Sequence, residues 1–468
     1  MSYPWSVAAK RYLIRTFGCQ MNEHDSERLA GLLEDDGMEA TDDVEQADVV
    51  LLNTCCIREN ADNKLYGHLG HLKSLKDRRP GMQIAVGGCL AQKDGDTIRA
   101  RAPQVDAVFG THNVGRAVEL LRQAATSGPV TEILDQAQLD EDEAFPSALP
   151  VCRQLPYAAW VTIQIGCDNA CAFCIVPAVR GRAISRPFDQ VVAEVEGLAA
   201  AGTVEVTLLG QNVNSYGRDL TRRRPLFAEL LRAVGGVDGI RRVRFTSPHP
   251  KDLRPETIEA MATTPAVCPH LHLPLQAGSD RTLAAMHRGY TARRYLDRLA
   301  AARAAMPELA VTTDLIVAFP GETDDDFERT LEVVAEAEFD SAYTFLFSPR
   351  PGTQAAAMED RFVPPDVAAD RFARLNVVVE RSALARHQAR LGRVEDVLVE
   401  GPSKRDPTQA TGRTGQNKLV HFPADRVPAA GTFATVRVTG AAPHYLRGEL
   451  VEVTARPCHR TRIPVTAL

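Results

Sequence analysis

No stretch of this chain is apolar for longer than a strand, so none of its 468 residues reads as a membrane span. Low-complexity tracts are missing as well, and 44% hydrophobic with 24% charged residues is the composition of a globular protein. Residues 1–15 have neither the apolar stretch of a secretory signal nor the character of a transit peptide, which points to the cytoplasm. There is no large excess of either charge. The net value of −6 argues weakly against a nucleic-acid partner, but the distribution matters more than the sum. Residues 387–468 carry 12 Lys/Arg against 7 Asp/Glu, a bias that an ordinary solvated surface would also produce.

What the chain does have is cysteine. Ten in a cytoplasmic protein call for something other than disulfides, because reducing compartments keep thiols free. They are Cys19, Cys55, Cys56, Cys89, Cys152, Cys167, Cys171, Cys174, Cys268 and Cys458. Metal binding or redox chemistry becomes the leading class before any motif is read.

The length suggests about three domains, and the pattern supplies them. Strand-like runs at 12–17, 47–52, 83–86 and 105–109 alternate with helical patterns, which predicts an α/β domain with a parallel sheet over residues 11–126. Residues 127–152, with the acidic run at 140–143, read as a linker. Over 153–386 the alternation resumes six times, with strands expected at 160–165, 204–209, 242–246, 271–274, 311–317 and 341–347. Six βα units are too few for a closed eight-stranded barrel, so a partial (β/α)6 barrel is expected. Residues 387–456 change to short Val- and Thr-rich runs between Gly, Pro and Asn, the pattern of a small antiparallel β-barrel similar to oligonucleotide-binding folds.

The strongest chemical signal is Gly166-Cys167-Asp168-Asn169-Ala170-Cys171-Ala172-Phe173-Cys174. Three thiolates at gaps of four and three can hold three irons of a cubane, leaving the fourth iron an open coordination site. S-adenosylmethionine (SAM) could chelate that iron, and electron transfer into its sulfonium would release a 5′-deoxyadenosyl radical. The gaps also suit one face of a buried helix, but Gly166, Asn169 and Pro177 argue for a loop. A zinc site would want a fourth ligand nearby, and the nearest downstream histidine is His249.

Cys19, Cys55 and Cys89 form a second constellation, each just after an expected strand. In a parallel sheet such loops gather at the carboxyl edge, where ligands bind, and each opens a helix whose dipole favours an anion. Singly, each would read as a buried core cysteine; recurrence at one structural position predicts a second cluster.

The three-cysteine motif resembles that of the radical SAM superfamily, and its continuation Ile175-Val176-Pro177…Arg180-Gly181-Arg182…Ser185-Arg186 is similar to the methylthiotransferases. The resemblance covers about residues 11–456 and implies two [4Fe–4S] clusters, one on Cys167, Cys171 and Cys174, the other on Cys19, Cys55 and Cys89. It also implies SAM as cofactor and methylthiolation of a substrate. Relatives often have a small residue where this chain has Cys56, and two adjacent side chains diverge, so Cys55 is the expected ligand. Gly18-Cys19-Gln20-Met21-Asn22, Asn53-Thr54-Cys55 and His272-Leu273-Pro274-Leu275-Gln276-Ala277-Gly278-Ser279 look most like the branch that converts N6-(dimethylallyl)adenosine beside the tRNA anticodon to its 2-methylthio derivative. The C-terminal segment resembles the TRAM domain, an RNA-binding module.

That branch implies a tRNA anticodon stem-loop as partner, a sulfur donor, an electron donor such as a flavodoxin or ferredoxin, and a monomer with no membrane contact. Weaker signals are Gln211 in Gln211-Asn212-Val213-Asn214, at a strand end, and Asp314 after Thr313 on a later strand, both of which could contact SAM or substrate. Such residues serve equally as caps and turn formers. One of His270 and His272 reads as a satisfied core group. Arg222-Arg223-Arg224 and Arg241-Arg242…Arg244 could meet phosphates or line a solvated loop. Arg413, Asn417, Lys418 and Arg447 in the last domain could meet RNA, while Cys152, Cys268 and Cys458 read as structural. Sister activities on threonylcarbamoyladenosine or on a ribosomal-protein aspartate would use the same clusters, and a non-enzymatic iron–sulfur RNA sensor is the rival from another class.

Overall fold

The computed structural model of the chain describes residues 9–56, 59–135 and 149–457. It has two compact units: Met1–Gln154 with Ile165–Asn169 and Cys174–Arg186, and Leu155–Gln164 with Ala170–Phe173 and Pro187–Leu468.

In the first unit six strands run Glu39–Ala40, Arg11–Phe17, Val49–Thr54, Gln83–Gly88, Ala107–Phe109 and Val130–Glu132 across one sheet. Every neighbouring pair is parallel. Val49–Thr54 is buried along its whole length, as a central strand covered on both faces must be. Successive side chains alternate between faces: Leu13, Val50, Leu52 and Ile84 pack in one apolar layer, Tyr12, Val49, Leu51 and Ala85 in the other. The sheet extends to one side of Arg11–Phe17 through Glu39–Ala40 and to the other through Val49–Thr54. That order makes a topological switch point beside Phe17 and Thr54, where open α/β sheets bind ligands. Val130–Glu132 lies inside the stretch read from the sequence as linker; the acidic run at 140–143 lies outside the described residues.

The second unit contains six parallel strands in two runs: Ala158–Thr162, Glu205–Leu209 and Arg242–Phe245, then His270–His272, Ala310–Val317 and Ser341–Leu346. The Val243–Val267 bridge joins them into an open barrel of sequential order. Helices between the strands cover its outside, among them Asp324–Ala337, which starts on a capping box of Thr323 and Asp326. The long helix Pro365–Gln388 lies over the last strand, where Thr344 Oγ1 hydrogen-bonds Asn376 Oδ1 at 2.7 Å. Alternation along that strand turns Tyr343 and Phe345 away from the helix, toward the inside of the barrel.

Five strands, Val394–Pro402, Gln409–Thr414, Leu419–Pro423, Phe433–Ala442 and Tyr445–Ala455, close a small barrel around Val397, Val399, Phe422, Val436 and Leu446. It is antiparallel except where Leu419–Pro423 runs parallel to Tyr445–Ala455.

Two sequence expectations change here. Arg242 and Arg244 neither meet phosphates nor sit in a solvated loop; both are buried on one strand. Arg242 donates to Asp396 and to Arg413 O, and Arg244 to Glu205, Thr414 O and Gly415 O. Likewise Lys418 is not an RNA contact: it is buried against Asp340 at 2.5 Å. The 414–418 turn of the small barrel therefore plugs the amino-terminal rim of the large one, because its carbonyls and Lys418 satisfy charges that the rim would otherwise strand. Lys418→Met should leave Asp340 buried without its cation and cost about 3–5 kcal/mol, read as a lower midpoint in thermal unfolding. A change below 1 kcal/mol would contradict the plug.

Candidate metal centres

Phe17 lies opposite Thr54, and Thr54 opposite Gly88, so three strands end in register. Cys55 follows Thr54 directly, Cys89 follows Gly88, and Cys19 comes two residues after Phe17. The Cys55 N–H extends the ladder to Phe17 O at 2.8 Å. Gly88 has φ +96°, and a Cβ there would fall 2.4 Å from Asn53 Oδ1 and 2.6 Å from Thr54 O, so the turn that presents Cys89 requires glycine. Asn53 pins the neighbouring helix Gln20–Asp35, donating to Asn22 O at 2.8 Å and to Ser26 Oγ at 2.9 Å. That fixes Cys19, the N-cap of this helix, whose thiol donates to Asn22 Oδ1 at 3.5 Å.

The sulfurs lie in pairs. A hydrogen bond with Cys55 holds the Cys19 thiol down to about 5, helped by Arg180 against the opposing effect of burial. A hydrogen bond with Cys56 holds Cys89 down to about 7, while Cys56 itself is pushed far up by that contact and by burial. Arg180, at the end of the helix Val176–Arg180, is buried and donates to Asp25 at 2.8 Å. Burial opposes its charge, but Cys89, Asp25 and Cys19 more than restore it. Two thiols with depressed pKa, amides at a helix N-terminus and a buried cation make a site built for an anionic group ligated by thiolates, which fits an iron–sulfur cluster. Among the described residues no three Cys, His, Asp or Glu side chains are grouped for one metal ion; the thiolates of a cubane bind separate irons.

Within the three-cysteine segment, Cys167 and Cys174 pack with the first unit and Cys171 with the second. Gly166 has φ +72°, and a Cβ would fall 1.9 Å from Arg182 O, so only glycine lets the chain pass where Cys167 N donates to Gly181 O. Asn169 N donates to Cys167 Sγ at 3.4 Å. In the second unit Cys171 Sγ accepts from Arg288 Nη1 at 3.2 Å. Sulfurs that accept N–H groups at both places suit thiolate ligation of a cluster.

Of the three amides after Glu205–Leu209, two are structural: Asn212 donates to Asp252 and Asn214 pairs with the backbone of His249. Gln211 differs, with both polar atoms buried and no hydrogen-bond partner. Such an orphaned buried amide calls for a partner that the described residues do not supply. Asp314 approaches His272 at 3.4 Å and lies opposite Tyr343 in the sheet register. His270 and His272 both hydrogen-bond Thr312 Oγ1, so His270 is a satisfied core group as expected. Cys152 pairs with Glu34 and Cys268 is buried; Cys458 lies outside the described residues. Sequence reasoning gave no separate role to Arg180 and did not single out Arg288, because no local spacing marks either one.

On the small barrel Arg447 remains exposed, donating to Tyr445 OH at 3.2 Å, and the Tyr445 ring packs on His421 at 5.4 Å. Among the described residues no helix is long and apolar enough to cross a membrane.

The chain is similar to known proteins over most of its length. Residues 11–110 match the uncharacterized protein family UPF0004, 161–334 the radical SAM superfamily and 388–451 the TRAM domain. A solved radical SAM methyltransferase, TsrM from Kitasatospora setae, shares the fold with a TM-score of 0.54 at 14% identity, over 74% of this chain and 75% of its own. Fold and cysteine segment thus define a radical SAM enzyme with an N-terminal parallel-sheet domain and a C-terminal TRAM barrel. A tRNA-2-methylthio-N(6)-dimethylallyladenosine synthase of Kineococcus radiotolerans is 52% identical over 97% of this chain and 91% of its own length. One of Acidothermus cellulolyticus is 55% identical over 94% and 88%. The chain belongs to the tRNA-2-methylthio-N(6)-dimethylallyladenosine synthase family.

Replacing Cys55 with Ala should remove about half of the bound iron, whereas Cys56→Ala should leave iron content near that of the unsubstituted chain. Iron analysis after reconstitution checks both, and the reverse result would assign the ligand to Cys56.

Proposed function

We propose that this enzyme converts N6-(dimethylallyl)adenosine beside the tRNA anticodon to its 2-methylthio derivative. The observation that carries the reading is the in-register convergence of Cys19, Cys55 and Cys89, which gives the chain a second thiolate site besides the Cys167, Cys171 and Cys174 segment. When bound, the two [4Fe–4S] clusters and SAM supply the one-electron chemistry and the methylthio group; an aromatic C–H has no acidic proton for ordinary base catalysis.

The chain's own residues hold and orient. Cys167, Cys171 and Cys174 hold the cluster that binds SAM, and Cys19, Cys55 and Cys89 hold the one that carries the sulfur. Arg180 offsets negative charge at the latter. Gln211 and Asp314 meet SAM or the nucleoside from the open barrel. Tyr343 is 59% exposed and Phe345 37%, large apolar groups facing inward that suit an adenine with a prenyl substituent. A threonylcarbamoyl group carries a carboxylate and would call for a cation there instead. Outside, Arg447, Tyr445 and His421 offer a guanidinium and stacking faces to the RNA. The enzyme acts as a cytoplasmic monomer, receiving electrons from a flavodoxin or ferredoxin and sulfur from a separate donor.

Nucleoside mass spectrometry of total tRNA from cells with and without the gene tests this. Loss of 2-methylthio-N6-(dimethylallyl)adenosine, with its unthiolated precursor accumulating, is the expected result. Persistence of that nucleoside with loss of the threonylcarbamoyl derivative would overturn the substrate assignment.

A further inference from the structure

Met286-His287-Arg288 runs alongside the Ala170–Phe173 part of the second unit and is tied to it residue by residue. Ala172 N donates to Met286 O at 3.1 Å, His287 Nδ1 lies 3.2 Å from Ala170 O, and Arg288 Nη1 donates to Cys171 Sγ at 3.2 Å. His287 has φ +57°, a conformation that side chains other than glycine seldom adopt, so the strap is held in shape by these contacts.

Arg288 is only 6% exposed, yet among the described residues no carboxylate is a hydrogen-bond partner of it. Its Nε donates to Tyr290 OH at 3.1 Å and Nη2 reaches Pro274 O at 3.5 Å. Tyr290 OH is fixed in turn by Pro274 O and Leu275 O at 3.1 and 2.9 Å, and its ring packs edge-on against His249. The Tyr290 hydroxyl and the Pro274 carbonyl orient the guanidinium, and among its hydrogen-bond partners in the described residues the Cys171 sulfur is the one that can carry a negative charge as a cluster ligand. A buried cation without a carboxylate is expensive unless an anion meets it. A cysteine thiolate bound to iron is such an anion.

We propose that Arg288 is a positioning residue for the radical SAM cluster: its charge-assisted hydrogen bond to Cys171 raises the cluster's reduction potential and fixes the Cys171 side chain. The inference rests on the assignment of Cys171 as a cluster ligand. Reduction adds negative charge, and a nearby cation with a hydrogen bond to sulfur stabilises the reduced form more than the oxidised one. Removing the cation must therefore make the cluster harder to reduce.

The test is a reductive titration of the reconstituted full-length protein, followed by electron paramagnetic resonance, with the signal that responds to SAM taken as the radical SAM cluster. In Arg288→Gln that signal should remain, and the ratio of reduced to oxidised cluster at a fixed potential should fall about tenfold, or about 59 mV for a one-electron couple. Arg288→Lys keeps the charge and should shift less. If Arg288→Gln keeps its cluster and titrates at the unsubstituted potential, the proposal is overturned. Should Arg288→Gln lose its iron, Arg288→Met, which keeps most of the side chain's bulk without its charge, decides: a lower potential supports the proposal, and an unchanged one contradicts it. Absence of any SAM-responsive signal in the unsubstituted protein would instead contradict the cluster assignment beneath it.

Discussion

The site depends on the register of one parallel sheet. Phe17, Thr54 and Gly88 end three neighbouring strands on one line, so residues separated by dozens of positions in the chain reach a common edge. The hydrophobic alternation of these strands enforces that line. A slip of one residue would turn Val50 and Leu52 into the layer that holds Val49 and Leu51, and every core contact would be lost with it. A site whose ligands come from three strand ends is therefore as rigid as the sheet, which suits thiolates that must meet separate irons of one cluster. Asn53 completes the arrangement by bonding across to Asn22 and Ser26, so strand end and helix start cannot move independently.

Buried arginines recur wherever this protein gathers negative charge. Arg180 stands with Asp25 near Cys19 and Cys89, and Arg288 faces Cys171. Arg242 and Arg244 use the same fork geometry for a structural end, bonding carboxylates and backbone carbonyls where the TRAM barrel meets the large barrel's rim. Lys418 does the same with Asp340. Lys418 of the TRAM domain is thus held inside the second unit, whereas Arg447 with Tyr445 and His421 forms an outward group.

The layered α/β order, the six-stranded open barrel and the closed five-stranded barrel were all legible in the sequence. Most of their strands are announced by local periodicity with Gly or Pro near their ends; the short edge strands Glu39–Ala40 and Val130–Glu132 are not. The convergence of Cys19, Cys55 and Cys89 was legible for a related reason: a parallel sheet has one carboxyl edge, so repetition of Cys after a strand is a three-dimensional statement. Partners of buried charges were not legible. Arg180 meets Asp25 across 155 residues, Arg242 meets Asp396 across 154 and Lys418 meets Asp340 across 78, and no spacing rule spans such separations. Reading Arg242, Arg244 and Lys418 as candidate nucleic-acid contacts failed for that reason: exposure was assumed from charge. Gln211, Asn212 and Asn214 look alike in sequence, and only their hydrogen bonds separate the two structural amides from the orphaned one.

The most direct test of the two-cluster account is a crystal structure of the anaerobically reconstituted protein with anomalous diffraction collected at the iron edge. The account predicts two iron peaks, one bonded by Cys19, Cys55 and Cys89 and one by Cys167, Cys171 and Cys174. A single peak at the latter trio, with ordered free thiols at the sheet edge, would contradict it.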